Sequence, residues 1–453
     1  MKSVFVVGAG PAGLYAANKF ALAGHEVLLF NRDIKPGGLA EYGIYPAKEK
    51  MKSGLRKQFA KILSQPNLHY FGHVPVAAGR SLTLDSLREF SPSALVCAIG
   101  AQGTKKLGMP GEDSAGVYSA KDFVYHYNQL PPFSSRDFST GKRVAIVGMG
   151  NVMVDIARWL LIDDPGRKTE EVIVIARRGP FEAKFDHKEF DHIEQFLDRR
   201  AFQQEIARIH DRLAAVGQDP AQLASATFPV LAKPDSGSTS PRLLFHFLCS
   251  PQAIHAGPGG RIERLTLEEN ALVARDGSTA AKSTGRTFDL DVDTMIFAIG
   301  DVVDPGFGLP VAGSAYVTSP DPADPKRAAY EVFDPTSSGV VPGTYVVGWA
   351  RKASEGLVGV ARFDAEQGAA HVLKFLESAP DRSEAATDRV ARGLELAGLQ
   401  FISKPDLAYL GAAEQQQAGE RNLPSFKFST DADMLAAIEA EKSRAPSGDL
   451  VSR

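Results

Sequence analysis

An α/β fold of two Rossmann-like three-layer domains, the second inserted into the first, is what three features of the sequence predict. A strand, glycine turn and helix open at residue 3, and the same grammar returns at residue 143. Two near-identical apolar stretches, LVCAIG at 95–100 and MIFAIG at 295–300, bracket the second unit as two chain crossings would. At 453 residues the chain also exceeds the size at which a single core stops growing.

The elements follow in order. Ser-Val-Phe-Val-Val at 3–7 is an apolar, β-branched run that ends in Gly8-Ala9-Gly10-Pro11-Ala12-Gly13 and opens a helical pattern to about Leu22. A second strand, 26–30, completes a βαβ start of about thirty residues. The loop Pro36-Gly37-Gly38-Leu39 and a basic helical segment from Lys48 to Leu63 come next. Arg143-Val144-Ala145-Ile146-Val147 then leads into Gly148-Met149-Gly150-Asn151 and an apolar helix through Leu161. Its second strand, 171–176, runs into Arg177-Arg178-Gly179-Pro180. Residues 201–241 read as a helix and a Pro/Ser/Gly-rich loop, and alternation over 242–274 predicts antiparallel strands. The expected organisation is a first domain at 1–103 and 301–380, an insert at 104–300, and a helical extension with a tail at 381–453, disordered after Arg444.

Composition narrows the chemistry. A net charge of -3 provides no global field for nucleic acid or an anionic membrane, so neither is an expected partner. No apolar run approaches the roughly 18 residues of a membrane span, and the first strand leaves no room for a leader, which together point to a cytoplasmic protein. The two cysteines, Cys97 and Cys249, lie far apart in apolar runs and read as core residues. With no dithiol and no cluster ligands, electrons in a redox reaction would leave through a bound organic cofactor. His25, His69 and His73 lack metal-ligand spacing, and no metal is expected.

The glycine turns carry the functional reading. Gly8, Gly10 and Gly13 permit a tight bend, a close approach of backbone to a pyrophosphate, and tight helix–strand packing. In the second turn the third glycine is replaced by Met153, so its helix is expected to sit slightly further from the strand. Two such turns in one chain point to two dinucleotides, one a flavin (FAD) and one a nicotinamide. Arg177 and Arg178 fall where a 2′-phosphate would lie, and their planar, permanently charged forks favour NADP over NAD. In the first unit the corresponding position is Asn31, an amide where a carboxylate would bond ribose. Hydride transfer between nicotinamide and flavin needs the rings stacked and the phosphates bound, so no acid–base catalytic residue is expected.

With these motifs and Gly348-Trp349 in order along nearly the whole length, the chain resembles the adrenodoxin reductase and FprA-type ferredoxin–NADP reductase family. Further matches are Ala98-Ile99-Gly100-Ala101-Gln102, the stretch 109–113, Asp122-Phe123-Val124 with Tyr127-Asn128, and Val152 with Asp155. The resemblance implies an electron-transfer flavoprotein that oxidises NADPH. It implies FAD contacts at Gly8, Gly10, Pro11, Ala12, Gly13, Asn31, Arg32, Gly38, Leu39, Gly100, Gly348, Trp349, Gly356, Leu357 and Val358. NADP contacts are implied at Lys105, Gly148, Gly150, Asn151, Val152, Arg177, Arg178, Glu189, Trp349 and Gly356. Where the family has Gly-Val-Ala-Pro-Asp-His, this chain reads Gly43-Ile44-Tyr45-Pro46-Ala47-Lys48, placing a lysine at the histidine near the flavin.

The implied acceptor is a ferredoxin-like iron–sulfur protein. Small and acidic, it would be steered by Lys48, Lys50, Lys52, Arg56, Lys57 and Lys61 if they form a patch. The loop at 36–46 also resembles that of the glutamate synthase small subunit, which leaves open an electron-input subunit of a larger complex, although only seven residues precede Gly8. A non-catalytic flavoprotein is the remaining alternative, motivated by Asn31 and Met153.

Overall fold

The computed structural model describes residues 2–235, 237, 240–321, 328–352, 358–381 and 385–444. In chain order it begins with β1 (Ser3–Val7), α1 (Pro11–Leu22), β2 (Glu26–Phe30), α2 (Glu49–Leu63), β3 (Leu68–Phe71), α3 (Leu84–Glu89) and β4 (Ala94–Cys97). It continues with β5 (Val117–Ser119), α4 (Ala120–Tyr127), β6 (Arg143–Val147), α5 (Asn151–Arg158), β7 (Glu171–Ala176) and α6 (Arg199–Ala214). Next come β8 (Arg242–Phe247), β9 (Cys249–Ala256), β10 (Ile262–Arg275), β11 (Ser278–Asp291) and β12 (Thr294–Phe297). The chain closes with β13 (Thr318–Pro320), β14 (Ala328–Asp334), β15 (Gly339–Val346), α7 (Val358–Ser378), α8 (Thr387–Leu396), α9 (Lys404–Glu420) and α10 (Asp431–Arg444).

Two compact units result. The first holds Met1–Thr104, Tyr125–Ser135 and Gly300–Arg453, and the second holds Lys105–Val124 and Arg136–Ile299. The first unit is a seven-stranded sheet in the order β13-β14-β15-β4-β1-β2-β3. Strands β15, β4, β1, β2 and β3 run parallel, and β14 and β13 add antiparallel at one edge. Every residue of β1 and β2 is buried, so behind the polar first residues Ser3 and Glu26 these strands read as apolar runs. Val4 and Val6 face a core shared with α1, α2 and α7, while Phe5 and Val7 face one shared with α3 and α8. The alternation of the strand thus serves two layers of helix.

Residues 125–135, expected within the insert, pack with the first unit. Tyr125, Leu130 and Phe133 close on Tyr42 and Leu39 in a small apolar cluster, and Lys52 Nζ donates to Asn128 Oδ1 at 2.7 Å. The C-terminal helices belong to the same unit. Leu410, Met434 and Ile438 bury against Ile34, and Lys427 Nζ reaches Glu41 at 2.7 Å. The expected tail beyond Arg444 lies outside the described residues.

The second unit is a five-stranded parallel sheet, β5-β12-β6-β7-β8, with α5 against one face and the antiparallel sheet β9-β10-β11 against the other. The alternation over 242–274 predicts antiparallel strands, but β8 pairs parallel with β7, and the antiparallel pairing begins only at Cys249. An edge strand with one covered face alternates whichever way its neighbour runs, so periodicity alone does not report direction. Leu248, at φ +53°, makes the turn between the two sheets.

Candidate functional site

In the first unit the turn after β1 is shaped by three glycines with different tasks. Gly8 has φ +103°, and a Cβ there would lie 2.6 Å from the Ala98 carbonyl oxygen. A Cβ on Gly13 would lie 1.8 Å from the Gly8 carbonyl oxygen, so this glycine lets α1 press onto the strand and does not line the cleft. Nothing stands within 4 Å of a Cβ on Gly10, which faces open space. Gly10 is the N-cap of α1 and Pro11 its first residue, leaving unpaired N–H groups at the helix start for an anion.

The Gly37-Gly38 loop is stitched to this turn. Gly37 N–H donates to the Ala9 carbonyl at 2.7 Å, and a Cβ on Gly38 would come within 3.0 Å of Gly10 Cα. A cleft of about 280 Å³ opens between these loops, lined by Gly8, Gly10, Pro11, Ala12, Asn31, Arg32, Gly38, Leu39, Gly100, Trp349 and Val358 of the expected set. Gly348, at φ +69°, sits over α1, where a Cβ would lie 2.5 Å from that of Ala12. Its N–H donates to Asp364 at 2.6 Å, and Asp364 also pairs with the buried Arg351. Gly356 and Leu357 lie outside the described residues.

Trp349 Nε1 is buried and meets no hydrogen-bond partner among the described residues, although its side chain lines the cleft. An orphaned donor in a cleft floored by bare backbone fits a large, acceptor-rich ligand such as FAD. Asn31 lines the cleft, and its side chain also ties the cleft's loops together. Its Oδ1 accepts from Ala9 N–H at 3.0 Å, while Nδ2 donates to the carbonyls of Asp33 (2.8 Å) and Lys35 (3.0 Å). The amide thus holds the loops that shape the cleft. Sequence reasoning missed Arg80, Asp33, Asp304 and Phe307, which also line it. Asp33 lies just past the end of β2, a position the sequence does mark, whereas Arg80, Asp304 and Phe307 sit well inside the loops after β3 and β12, where no strand-end signal points to them.

The second unit repeats the arrangement. Gly148 has φ +122°, and its Cβ would lie 2.3 Å from the Ala298 carbonyl oxygen, as Gly8 meets Ala98 in the first unit. Gly150 is again open and caps α5, and Met153, in place of a third glycine, is fully buried. Asn151 and Val152 form the first turn of α5; Asn151 Oδ1 accepts from Asp186 N–H at 2.7 Å, and Val152 is 46% exposed. Lys184 N–H donates to the Met149 carbonyl, bringing the segment that carries Glu189 back to the glycine turn. Arg177, exposed, and Arg178, half-buried, follow the last residue of β7, the neighbour of β6. Lys105 is exposed at the start of this unit.

The proposed basic patch on α2 loses two members. Lys52 is 2% exposed, its ammonium held by Asn128. Arg56 is forked onto Glu41 at 2.7 and 2.9 Å and onto Glu49 at 2.5 Å. Each side chain is drawn in by a partner, Asn128 for Lys52 and Glu41 with Glu49 for Arg56, although burial still disfavours the charged form of Lys52. Lys50, Lys57 and Lys61 stay exposed, and Lys48 is half-buried.

The model of the family described as pyridine nucleotide-disulphide oxidoreductase matches residues 2–318. NADPH-ferredoxin reductase FprA of Mycobacterium leprae is 31% identical over 86% of this chain and 87% of its own length. The mitochondrial NADPH:adrenodoxin oxidoreductase of Arabidopsis thaliana is 28% identical over 96% of this chain and 95% of its own. A solved structure of Mycobacterium tuberculosis FprA in complex with NADPH superposes with a TM-score of 0.81 at 26% identity, covering 97% of this chain and 99% of that one.

Proposed function

The chain belongs to the pyridine nucleotide-disulphide oxidoreductase family, in the branch of the NADPH-ferredoxin and adrenodoxin reductases, and from this we propose which of its residues perform each part of the reaction. It is an FAD-dependent oxidoreductase that takes electrons from NADPH and delivers them to an iron–sulfur protein. Bound FAD supplies the conversion of a two-electron hydride donor into a source of single electrons.

The first unit holds FAD. Gly8, Gly10 and the start of α1 receive its pyrophosphate, Gly38 and Leu39 wall the cleft, and Trp349 offers its indole N–H. Val358 completes the wall, and Gly348, held by Asp364, sets the backbone that leads into Trp349. In the second unit Gly148, Gly150, Asn151 and Val152 receive the nicotinamide dinucleotide's pyrophosphate at the start of α5, and Arg177 and Arg178 its 2′-phosphate. Lys105 and Glu189 are secondary contacts in this reading. No residue is assigned proton transfer; positioning of the two rings is the catalytic contribution of the chain.

Lys50, Lys57 and Lys61 form the reduced patch that steers an acidic acceptor. The free, buried thiols of Cys97 and Cys249 support a reducing, cytoplasmic setting. Among the described residues no helix is long and apolar enough to cross a membrane.

The observation that carries the dinucleotide reading is the paired cradle, Gly8 against Ala98 and Gly148 against Ala298, each ahead of a helix start open to a ligand. Anaerobic titration of the purified protein tests it. The flavin band should bleach with NADPH at far lower concentration than with NADH. A preparation that takes up no FAD, or bleaches equally with both, contradicts the assignment.

A further inference from the structure

Arg177 and Arg178 stand just beyond the reach of their sheet. The pairing of β7 with β6 ends at Ile175 and with β8 at Ala176, so no strand ladder fixes the backbone of the arginine pair. Two hydrogen bonds from outside the parallel sheet do so. The Arg178 carbonyl accepts from Leu248 N–H at 3.2 Å, and the Arg177 carbonyl accepts from Asn270 Nδ2 at 3.0 Å.

Asn270 lies on β10, 3% exposed, at the point where the β10–β11 register shifts. Its N–H donates to the Leu248 carbonyl at 2.7 Å, and its own carbonyl accepts from Arg212 Nη1 of α6 at 3.0 Å. The second proton of Nδ2 goes to Ser250 Oγ at 2.8 Å. Leu248 thus links both halves of the arrangement, giving its N–H to Arg178 and its carbonyl to Asn270. A buried amide whose backbone is anchored at both ends is a rigid fixture, and a rigid fixture sets where the two arginine side chains start.

We propose that Asn270 is a positioning residue for dinucleotide selectivity, holding the Arg177 backbone so that the arginine pair meets the 2′-phosphate of NADPH. The inference rests on the reading of Arg177 and Arg178 as the 2′-phosphate site. A dinucleotide lacking that phosphate does not use the pair, so the fixture matters for NADPH and not for NADH. A leucine at this position has similar bulk and no donor, and an aspartate has the shape but turns an acceptor toward the Arg177 carbonyl.

The test measures 2′,5′-ADP binding by calorimetry, together with kcat/KM for NADPH and NADH, in Asn270→Leu and Asn270→Asp proteins that retain FAD and a parental circular dichroism spectrum. Losing one buried hydrogen bond should weaken 2′,5′-ADP binding and NADPH kcat/KM by roughly tenfold, with NADH kcat/KM unchanged. Equal losses with both nucleotides, or none with either, overturn the inference and leave Asn270 a fold residue. The Arg177→Ala Arg178→Ala protein separates the two levels of the claim. If it keeps the NADPH preference, the reading of the arginines fails; if it loses the preference while both Asn270 variants keep it, only the role of Asn270 fails. Added to the arginine variant, Asn270→Leu should change the preference no further.

Discussion

Gly10 and Gly13 stand three residues apart and are needed for opposite reasons. A methyl group on Gly13 would collide with the Gly8 carbonyl, whereas one on Gly10 would have no atom of the described residues within 4 Å. Gly13→Ala should therefore destabilise the folded protein by about 1–3 kcal/mol through overpacking, seen as a lower melting temperature with or without FAD. Gly10→Ala should melt like the parent when FAD is absent and bind FAD roughly tenfold or more weakly, a loss read by flavin fluorescence titration. Lys52 yields a second prediction. Burial, helped by nearby Lys427, brings its ammonium down to about 7 from 10.5. Between those values the unfolded chain binds a proton that the folded chain does not, so stability rises with pH across this window. Urea midpoints of the parent should climb over that range, and Lys52→Met should flatten the climb. The glycines were legible from sequence because their task is local backbone geometry. The burial of Lys52 was not, because its partner Asn128 is 76 residues away and a charged helix reads as a wet face.

At the scale of elements, the C-terminal helices looked like an appendage and prove to be tied into the first βαβ unit. Glu26 on β2 accepts from Ala386 N–H at 2.8 Å and from the N–H and hydroxyl of Thr387 at 3.1 and 2.8 Å, capping α8 across the fold. Burial opposes ionisation of Glu26, but these bonds and the Ser3 hydroxyl outweigh it and hold the carboxyl below its ordinary value. A depressed carboxyl contributes stability above its unfolded value that is lost as pH falls through the folded one. Glu26→Gln should thus narrow the gap in melting temperature between neutral and acidic buffer. It should also speed amide exchange in α8 by mass spectrometry. The same scale explains the misread strand. Alternation correctly marked β8 as half-covered, but its direction depends on β7, whose partner a one-dimensional pattern does not name. On α2, Lys50→Glu with Lys57→Glu should slow reduction of an iron–sulfur acceptor and leave NADPH oxidation by an artificial dye intact. Equal loss in both assays would remove the patch from the docking surface.

Across the whole molecule, two units with separate cradles predict separable responses. FAD should raise protection from amide exchange in Met1–Thr104 and Gly300–Arg453, and 2′,5′-ADP in Arg136–Ile299, because a ligand stabilises the unit that binds it. Protection spread evenly by either ligand would contradict the division. The two-unit plan was legible in sequence from LVCAIG and MIFAIG, since both stretches become strands beside the strand that leads into the glycine turn of their own unit. The return of residues 125–135 to the first unit was not legible, because it depends on an aromatic cluster assembled from distant segments. The interrupted sheet also has a consequence for synthesis. Strand β4 takes β15 as its parallel neighbour, and β15 leaves the ribosome about 250 residues after β4. Through that interval Ala94–Cys97 has a bare edge, while the insert already owns every strand of its sheets. The nascent chain should therefore complete the inner unit first and hold the outer one as a sticky half-sheet. Chaperone demand would then peak before Gly339–Val346 appears, and stalled chains ending near residue 300 should be the aggregating species.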